Sequence, residues 1–513
     1  MAALGLVLVV AALLRAPALG SVPPGLWFDE ALNGQDAVAV WQPGGHFRIV
    51  YPDVFPREPM YETLLALVIR AGGPNIVVMR SLSAAIGILT VLLLYLTLRA
   101  QTGETAALSA AAVLATMRWH VIFSRLIFRT LVLPLWICAL VWSALAWRRR
   151  PTAWRAAIFG ILLGGGFYTY LAWYFMLPLA GILALWAAVG EWKSKAGRAR
   201  LALAACFAIA VAAPILIHYA THRDDLFNRP KAVSPFSGGV ADGVAEIGQN
   251  LSEALTMFFW RGDHVPLQNI PNKAALDGVQ MLFFAWGAIL CLAAIRRNII
   301  APILLLWLMC GIAPTIFTYT DSPNFLRSLV ASPAVAALTG IGLADAAGRI
   351  ARGRKTARAA LIALVILASA VLTARDVYLA WPRRMDVWER FHGRAVQIAK
   401  FANEASADAA VFIPEPFMSA EERPFHFVTL TAARPENIYP YFDRIPLGPW
   451  PPVPAAAGRP EPARRILVIP ANTELFKAIA PWTDGPPVKT FTTPTGSTWA
   501  LAVNIPEEKT RQR

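Results

Sequence analysis

The stretch IVVMRSLSAAIGILTVLLLYLTL, Ile76–Leu98, is an apolar run that contains one charged residue, Arg80. Its length is close to the roughly 20 residues that an α-helix needs to cross the hydrocarbon core of a bilayer. Comparable runs recur along most of the chain, so we expect a polytopic α-helical membrane protein with about eleven spans. The predicted spans are residues 2–20, 76–98, 104–122, 131–147, 155–171, 173–190, 200–219, 279–295, 299–317, 327–345 and 357–379.

The overall composition agrees with this fold class. Of the 513 residues, 57% are hydrophobic and 15% are charged, whereas a soluble protein carries about 25% charged residues. The net charge of +15 does not indicate nucleic-acid binding, because Lys and Arg occur in short clusters between the apolar runs rather than in one basic stripe. The four cysteines lie inside apolar runs, and we interpret them as small buried side chains.

The positions of the basic residues predict which side of the membrane each loop occupies. Sixteen Lys and Arg residues fall in five short loops on one side, at residues 99–104, 147–155, 191–200, 296–298 and 348–358. Short cytoplasmic loops are enriched in positive charge, so we expect this side to be the cytoplasm of a bacterial cell with the protein in its inner membrane. The first apolar segment ends in a cleavage-like APALGS but lacks a positive n-region, and we interpret it as an uncleaved helix rather than a signal peptide.

We therefore predict two domains. Residues 1–380 would form the transmembrane module, with large external loops at 21–75 and 220–278, and residues 381–513 would form a small external α/β domain. In that second part AAVFIPEP, RRILVIPA and KTFTTPTGSTWALAVNIP are typical of short strands, and VWERFHGRAVQIAKFANEA is typical of an amphipathic helix.

Charged residues at the external membrane boundary are the first candidates for function, because charges near membrane depth are costly. Asp29 and Glu30 follow the first apolar segment directly; the alternative interpretation is that Asp29 only caps a helix on the membrane surface. A second group lies in YPDVFPREPMYETLLAL and could be only an ion pair at a helix start. It consists of Asp53, Arg57, Glu58 and Glu62.

Three arginines lie on the same external side. Arg125 and Arg129 are four residues apart, so a continuous helix would place them on one face, and Arg327 begins a later span. Guanidinium groups suit phosphate, although each arginine could instead reach lipid headgroups. The combination favours arginines that hold the phosphate of a lipid carrier and a carboxylate that activates an acceptor. A lipid-phosphate sugar is a natural external donor, because nucleotide sugars are scarce outside the cytoplasm.

Six segments of the chain, in order, resemble blocks of the GT-C fold membrane glycosyltransferases. The resemblance is to the bacterial relatives of protein O-mannosyltransferases and of the lipid A aminoarabinose transferase, and it covers about residues 1–380. The segments are FDEA (Phe28–Ala31), REPMYETLLA (Arg57–Ala66), SRLIFRTLVLP (Ser124–Pro134), YTYLAWYFMLP (Tyr168–Pro178), FFWRGDHVPLQNIPNKAALD (Phe258–Asp277) and SPNFLRSLVASP (Ser322–Pro333).

The resemblance implies a transferase that uses a polyprenyl-phosphate-linked sugar on the external face, with Asp29 as the catalytic base and Glu30 supporting it. The acceptor would be a protein, a lipid or a glycan. The residues expected to bind the donor phosphate or lie near it are Arg57, Glu58, Arg125, Arg129 and Arg327. Those expected on the substrate side are Asp263, His264, Tyr168 and Tyr170.

Two further expectations concern cofactors and the positions at which this chain departs from the family pattern. The sequence requires no cofactor but leaves a divalent metal ion as an option, with Glu58 and His264 as its candidate ligands. Thr130, Tyr174 and Asn324 stand where relatives carry an acid, an Arg and a His, which points to a different donor or fewer cations around the phosphate. The alternative functions are an oligosaccharide transferase or glycan ligase on the same fold, or a lipid-linked-sugar transporter or flippase that catalyses no reaction.

Overall fold

The computed structural model describes residues 2–53, 55–319, 321–419, 422–430, 435–441, 464–471 and 483–505, together with Lys477 and Ala480. The described part of its first 380 residues is mainly helical. The helices of this part are α1 Ala2–Arg15, α2 Phe28–Ala39, α3 Met60–Gly72, α4 Ile76–Thr102, α5 Glu104–Thr116, α6 Arg118–Phe123, α7 Val132–Arg149, α8 Ala153–Gly165, α9 Trp173–Ala188, α10 Lys195–Thr221, α11 Arg223–Ala232, α12 Val240–Thr256, α13 Gly278–Ala293, α14 Ile300–Ile316, α15 Phe325–Ser328, α16 Ser332–Ile350 and α17 Lys355–Arg375.

Within the described part of the chain, eleven apolar helices lie where the sequence predicts spans. Among the described residues, six helical segments are long and apolar enough to cross a membrane: Ile76–Thr102, Arg129–Arg149, Trp173–Lys193, Lys195–Thr221, Phe325–Ile350 and Lys355–Ala380. Five shorter apolar helices occupy the other predicted places: Ala2–Arg15, Glu104–Thr116, Ala153–Tyr168, Gly278–Ala293 and Ile300–Ile316. The chain is therefore a multi-pass membrane protein, and the predicted fold class is confirmed.

Small residues bring the membrane helices close together. A Cβ on Gly340 of α16 would lie 2.2 Å from the backbone nitrogen of Ala110 on α5, and a Cβ on Gly160 of α8 would lie 2.2 Å from the carbonyl oxygen of Ala204 on α10. No side chain fits at either crossing. Such close backbone approach favours helix association in lipid, where apolar burial alone gives little driving force between helices.

The predicted span at 104–122 is interrupted. Helix α5 ends at Thr116, Met117 is extended, and α6 ends at Phe123 before a turn that leads into the 3₁₀ turn Arg129–Leu131. The prediction that Arg125 and Arg129 share one helical face is therefore wrong, because no continuous helix connects them.

The C-terminal part contains the expected small sheet. Its helices are α18 Met385–Arg390, α19 Gly393–Ala405 and α20 Arg423–Thr429, and its strands are β1 Ala409–Pro414, β2 Ile438–Tyr441, β3 Arg464–Pro470, β4 Lys489–Thr492 and β5 Thr498–Asn504. The strand order is β2-β1-β3-β5-β4, with β1 parallel to β2 and β3, and β5 antiparallel to β3 and β4.

The strands predicted from the sequence are present as β1, β3 and the β4–β5 hairpin, whereas β2 was not predicted. The predicted single helix over 387–405 is broken, because His392 has a positive φ of 48° between α18 and α19. The proline-rich residues 442–463 lie outside the described part of the chain.

Candidate active site

Asp29 lies in the first turn of α2, and its carboxylate has no described hydrogen-bond partner. The helix begins after Trp27, whose backbone is extended, so Trp27 and not Asp29 is the capping residue, and the alternative interpretation of Asp29 as a cap is wrong. Asp29 is half-buried and has no hydrogen bond or ion pair with any residue that the structure describes. Burial raises its pKa above the ordinary aspartate value, while the positive charges of Arg129 and Arg57 oppose the shift.

Glu30, the next residue, has partners for both of its carboxylate oxygens. It is fully buried, and its carboxylate forms an ion pair with Arg80 of α4, with 2.9 Å between Oε2 and Nη2. Its oxygens also accept hydrogen bonds from the backbone nitrogens of Trp27 at 3.0 Å and Ile127 at 2.9 Å. Glu30 therefore fixes the start of α2 to α4 and to the segment before Arg129. It has no oxygen left for a substrate.

Arg57 is neutralised by acidic residues. Asp29, Asn33 and Asp36 follow helical spacing on one face of α2, and the Arg57 guanidinium donates to the side chains of both Asn33 and Asp36. Two further carboxylates, Asp53 and Glu62, lie 3.8 Å from its nitrogens. The predicted phosphate contact of Arg57 is therefore replaced by a different role. Arg57 is the centre of a carboxylate cluster that joins α2 to α3.

Glu62 is the unusual member of that cluster. Its side chain is fully buried, and neither carboxylate oxygen has a hydrogen-bond partner among the described residues. Burial raises its pKa to about 7, although Arg129 and Arg57 favour the charged form.

The Arg129 guanidinium is bound through Nε, while its two terminal nitrogens have no described partner. Its Nε donates to Oε2 of Glu58 at 3.0 Å. Its Cζ atom lies 5.6 Å from the ring centroid of Tyr170. The Glu58 contact orients the guanidinium and leaves its terminal nitrogens free for an anion. Arg129 interacts electrostatically with Asp29 and Tyr170, and these three residues define the polar pocket of the candidate site.

Two further arginines act on this pocket. Arg229 of α11, which the sequence analysis did not single out, is exposed and interacts electrostatically with Asp29 and Tyr170. Its Cζ atom lies 4.6 Å from the ring centroid of Phe55, and no described carboxylate pairs with it. The sequence offered only one weak signal for it, an arginine in the external loop 220–278. Arg327 also interacts with Tyr170, and its Nη1 donates to Oγ1 of Thr318 at 2.7 Å.

Arg125 lies away from the pocket, which corrects its predicted role. Its side chain is fully buried and donates to the carbonyl oxygens of Arg15, Pro17 and Val22 at 2.7–2.9 Å. A fourth contact is to the hydroxyl of Tyr378 at 3.0 Å. Arg125 therefore ties the end of α1 to the segment before α2, and its guanidinium does not reach a phosphate in the pocket.

The predicted substrate-side residues divide into two groups. Asp263 is fully buried, with its oxygens accepting from the backbone nitrogens of Val265 and Phe325 at 2.7 Å, and burial raises its pKa to about 7. It supports the loop before α15, and both of its carboxylate oxygens are occupied by backbone nitrogens. Tyr168 donates to the carbonyl of Val211 at 2.8 Å and is likewise structural, whereas Tyr170 contributes to the pocket.

The three residues that depart from the family pattern have structural contacts. They are Thr130, Asn324 and Tyr174. The Thr130 hydroxyl donates to the carbonyl of Leu326 at 3.1 Å and so connects the segments that carry Arg129 and Arg327. Asn324 caps α15, its side chain accepting from the backbone nitrogen of Arg327 at 3.0 Å. Tyr174 packs its ring against Phe167, with 5.7 Å between the ring centroids.

An apolar groove of about 580 Å³ runs between α8, α9 and α10. Its lining includes Phe167, three residues before Tyr170, and continues past Leu163, Leu177 and Ile209. The lining of the groove along these membrane helices is apolar and fits a hydrocarbon chain.

The described residues do not bring the predicted metal ligands together. Glu58 is engaged by Arg129, and Nε2 of His264 lies 3.4 Å from Oδ1 of Asp321. Within the described chain, no three His, Cys, Asp or Glu side chains come together as a ligand set. Glu58 and His264 are thus not assembled as the predicted ligands.

The chain is similar to known membrane glycosyltransferases. Residues 56–218 match the family model described as dolichyl-phosphate-mannose-protein mannosyltransferase. The matched range includes the REP, SRLIFR and YTY segments of this chain. No curated protein matches the chain in sequence. A crystal structure of ArnT from Cupriavidus metallidurans bound to undecaprenyl phosphate is 13% identical, with a TM-score of 0.51 over 100% of this chain and 99% of that chain.

Other solved structures resemble the chain more weakly. The apo form of the same ArnT is 13% identical, with a TM-score of 0.48 and 100% of each chain covered. The apo oligosaccharyltransferase of Archaeoglobus fulgidus is 14% identical, with a TM-score of 0.48 over 99% of this chain and 76% of that chain. The ArnT complex and the family model confirm the predicted resemblance: the chain has the GT-C fold of membrane glycosyltransferases.

Proposed function

We propose that the protein transfers a sugar from a polyprenyl-phosphate-linked donor to an acceptor on the external face of a bacterial inner membrane, with Asp29 as the base. The observation that carries the proposal is the contrast between two adjacent carboxylates. Glu30 is locked by Arg80 and two backbone amides, whereas Asp29 is half-buried, uncommitted and close to Arg129 and Arg229.

The donor would lie across the groove and the pocket. Its prenyl chain would occupy the apolar groove between α8, α9 and α10, and its phosphate would meet the free nitrogens of Arg129 and the guanidinium of Arg229. ArnT of the same fold is known bound to undecaprenyl phosphate, which supports a carrier of this class. The side chain of Tyr170 interacts with both arginines and would lie at the polar end of the bound donor.

The reaction is a single displacement. The acceptor oxygen forms a bond to the anomeric carbon, its proton passes to an Asp29 carboxylate oxygen, and the bond from the anomeric carbon to the phosphate oxygen breaks with its electrons on polyprenyl phosphate. Arg129 and Arg229 stabilise the negative charge that develops on the leaving phosphate, which is commonly the larger catalytic term in a water-poor site. General-base assistance contributes about 10²–10⁴-fold.

The test is to incubate the purified protein in lipid nanodiscs with polyprenyl-phosphate sugars and candidate acceptors, and to follow release of free polyprenyl phosphate. We expect release with transfer by the wild type and its loss in Asp29→Asn, with binding of polyprenyl phosphate retained. Asp242→Asn, a change at an exposed position on α12, is the matched control and should keep full turnover. Near-normal transfer by Asp29→Asn would exclude Asp29 as the base.

The same experiment separates the alternatives. Binding of the lipid-linked sugar without release would support a transporter or flippase. Release only with a donor that carries a whole glycan would support an oligosaccharide transferase or ligase.

A further inference from the structure

Helix α20 of the C-terminal part packs directly on α2, the helix that carries Asp29. A Cβ on Gly34 would lie 2.5 Å from Cε2 of Phe427 and 2.9 Å from Sδ of Met79 on α4. Phe427 is itself buried. Since only a hydrogen fits at position 34, α2 is held tightly between a membrane helix on one side and α20 on the other.

Arg423 adds a second contact along the same helix. Its Cζ atom lies 5.2 Å from the ring centroid of Phe28, and its Nη1 donates to Oε1 of Gln35 at 3.2 Å. Phe28 and Gln35 are seven residues apart and therefore lie two turns apart on one face of α2. Phe28 also immediately precedes Asp29, so this contact reaches the first turn of the helix.

The segment that leads into α2 is attached to the same part of the chain. The backbone nitrogen of Leu26 donates to the carbonyl of Phe391 at 2.8 Å, and Nζ of Lys400 donates to the carbonyl of Gly20 at 3.1 Å. At Gly25, which has a φ of 144°, a Cβ would lie 2.1 Å from the Phe391 carbonyl oxygen. The C-terminal part thus contacts both α2 and its approach.

We propose that α20 is a positioning element for the base: Phe427 and Arg423 press α2 against α4 and so aim the Asp29 carboxylate at the pocket of Arg129 and Arg229. This proposal rests on the proposed function. Asp29 has no described hydrogen bond of its own to fix its direction, so its position follows that of its helix. A displacement of about 1 Å can cost a reaction roughly 10²-fold in rate.

The first test compares Phe427→Ala with Phe491→Ala. Phe491 is buried in the same C-terminal part, and its described ring partners are Phe401 of α19 and Trp499 of β5, with 5.6 and 5.7 Å between ring centroids. We expect Phe427→Ala to lower kcat about 10–100-fold with unchanged affinity for polyprenyl phosphate, because the described contacts of Arg129 and Arg229 include no residue of α20. Phe491→Ala should lower kcat much less, and Phe427→Leu should restore most of it.

A compensating pair sharpens the test. Gly34→Ala should lower kcat because its methyl group collides with the Phe427 ring, and adding Phe427→Leu, which removes the colliding Cε2 atom, should recover part of the loss. Equal losses in Phe427→Ala and Phe491→Ala, or no recovery in the double variant, would overturn the positioning role.

Amide hydrogen exchange of residues 28–39 gives a readout that needs no activity. We expect Phe427→Ala and Arg423→Ala to accelerate exchange in α2, and Phe491→Ala to leave it near the wild-type rate. Unchanged exchange in Phe427→Ala would overturn the proposal even if the wild type transfers sugar. If the wild type shows no transfer while exchange responds as expected, the proposed function fails and the contact of α20 with α2 stands.

Discussion

Glu30 and Arg80 form a fully buried ion pair, with 2.9 Å between Oε2 and Nη2, one residue along the chain from the uncommitted carboxylate of Asp29. The Arg80 side chain also donates to the carbonyls of Leu19, Pro23 and Gly25 at 2.7–3.1 Å. One arginine thus anchors both the approach to α2 and its first turn. The two adjacent carboxylates have different tasks because their surroundings differ.

The first prediction separates these tasks by stability. Removing one partner of a buried ion pair leaves the other charge uncompensated and costs about 3–5 kcal/mol, so Glu30→Gln should lower the melting temperature strongly and lose lipid binding together with turnover. Asp29→Asn should melt like the wild type, because Asp29 has no described partner to lose. Thermal unfolding in detergent measures both. A stable, inactive Glu30→Gln that still binds lipid would contradict the anchoring role.

The second prediction concerns the pH dependence of turnover. A base acts in its deprotonated form, and burial raises the pKa of Asp29, so kcat should rise with pH through a value above the ordinary aspartate range. The charge of Arg129 favours deprotonated Asp29; Arg129→Gln should therefore move the rise to higher pH, and Arg129→Lys should keep it near the wild-type position.

Donor affinity gives the same experiment a second readout. A hydrogen bond to a charged group contributes about 1.5–3 kcal/mol, so Arg129→Gln should weaken polyprenyl phosphate binding at least about tenfold. A rise in kcat centred at the ordinary aspartate pKa in the wild type would contradict the raised pKa of Asp29.

The membrane helices could be predicted from the sequence because their signal is local. The run at Ile76–Leu98 is apolar by itself, and its limits are marked by Asn75, whose side chain caps α4 through the Val78 nitrogen at 3.0 Å, and by Gly103 with its φ of 82°. The hairpin of β4 and β5 was equally local. The strand β2 was missed because it is short, at Ile438–Tyr441, and lies at the edge of the described sheet next to β1.

The arginines were harder to interpret because their partners are distant in sequence. Arg57 reaches Asp36, Arg125 reaches Tyr378, and Arg129 reaches Glu58, and nothing in a local motif distinguishes these situations. Spacing suggested that Arg125 and Arg129 act together, yet the turn between α6 and the segment at 129 separates them. Asp29 was predictable as a candidate, whereas its freedom from any described partner could be seen only in the structure.

The third prediction uses the buried carboxylate of Glu62. Burial raises its pKa from the usual 4.5 to about 7 in the folded protein. The folded state thus binds more protons than the unfolded state between these values, and the stability contributed by protonated Glu62 is present below about pH 4.5 and lost as the pH rises through 7. The shift corresponds to roughly 3 kcal/mol in the free energy of unfolding.

Glu62→Gln is neutral at every pH and should therefore remove this dependence. We expect the variant to melt at a higher temperature than the wild type at pH 8, and the difference to shrink at pH 5. Melting curves at both pH values measure it. A variant that is less stable than the wild type at pH 8 would show that ionised Glu62 is stabilised by Arg57 after all.

The fourth prediction concerns Arg229, which lies over Phe55 at the edge of the pocket. Arg229→Gln removes a cation that has no described carboxylate partner, so no buried charge is left unpaired and the melting temperature should stay unchanged. The affinity for polyprenyl phosphate should fall about tenfold or more, in line with the loss of one charge-assisted contact. Because Arg229 is exposed, its contribution should weaken as salt screens it.

Arg223→Gln is the matched control for this change. Arg223 is exposed at the start of the same helix α11, so its replacement alters the net charge of the helix equally without touching the pocket. A lipid-binding titration at low and high salt should show a loss for Arg229→Gln that is larger at low salt, and no loss for Arg223→Gln. If both variants weaken binding equally, Arg229 acts only through the general charge of the surface around α11, because a specific contact with the phosphate depends on its position over the pocket.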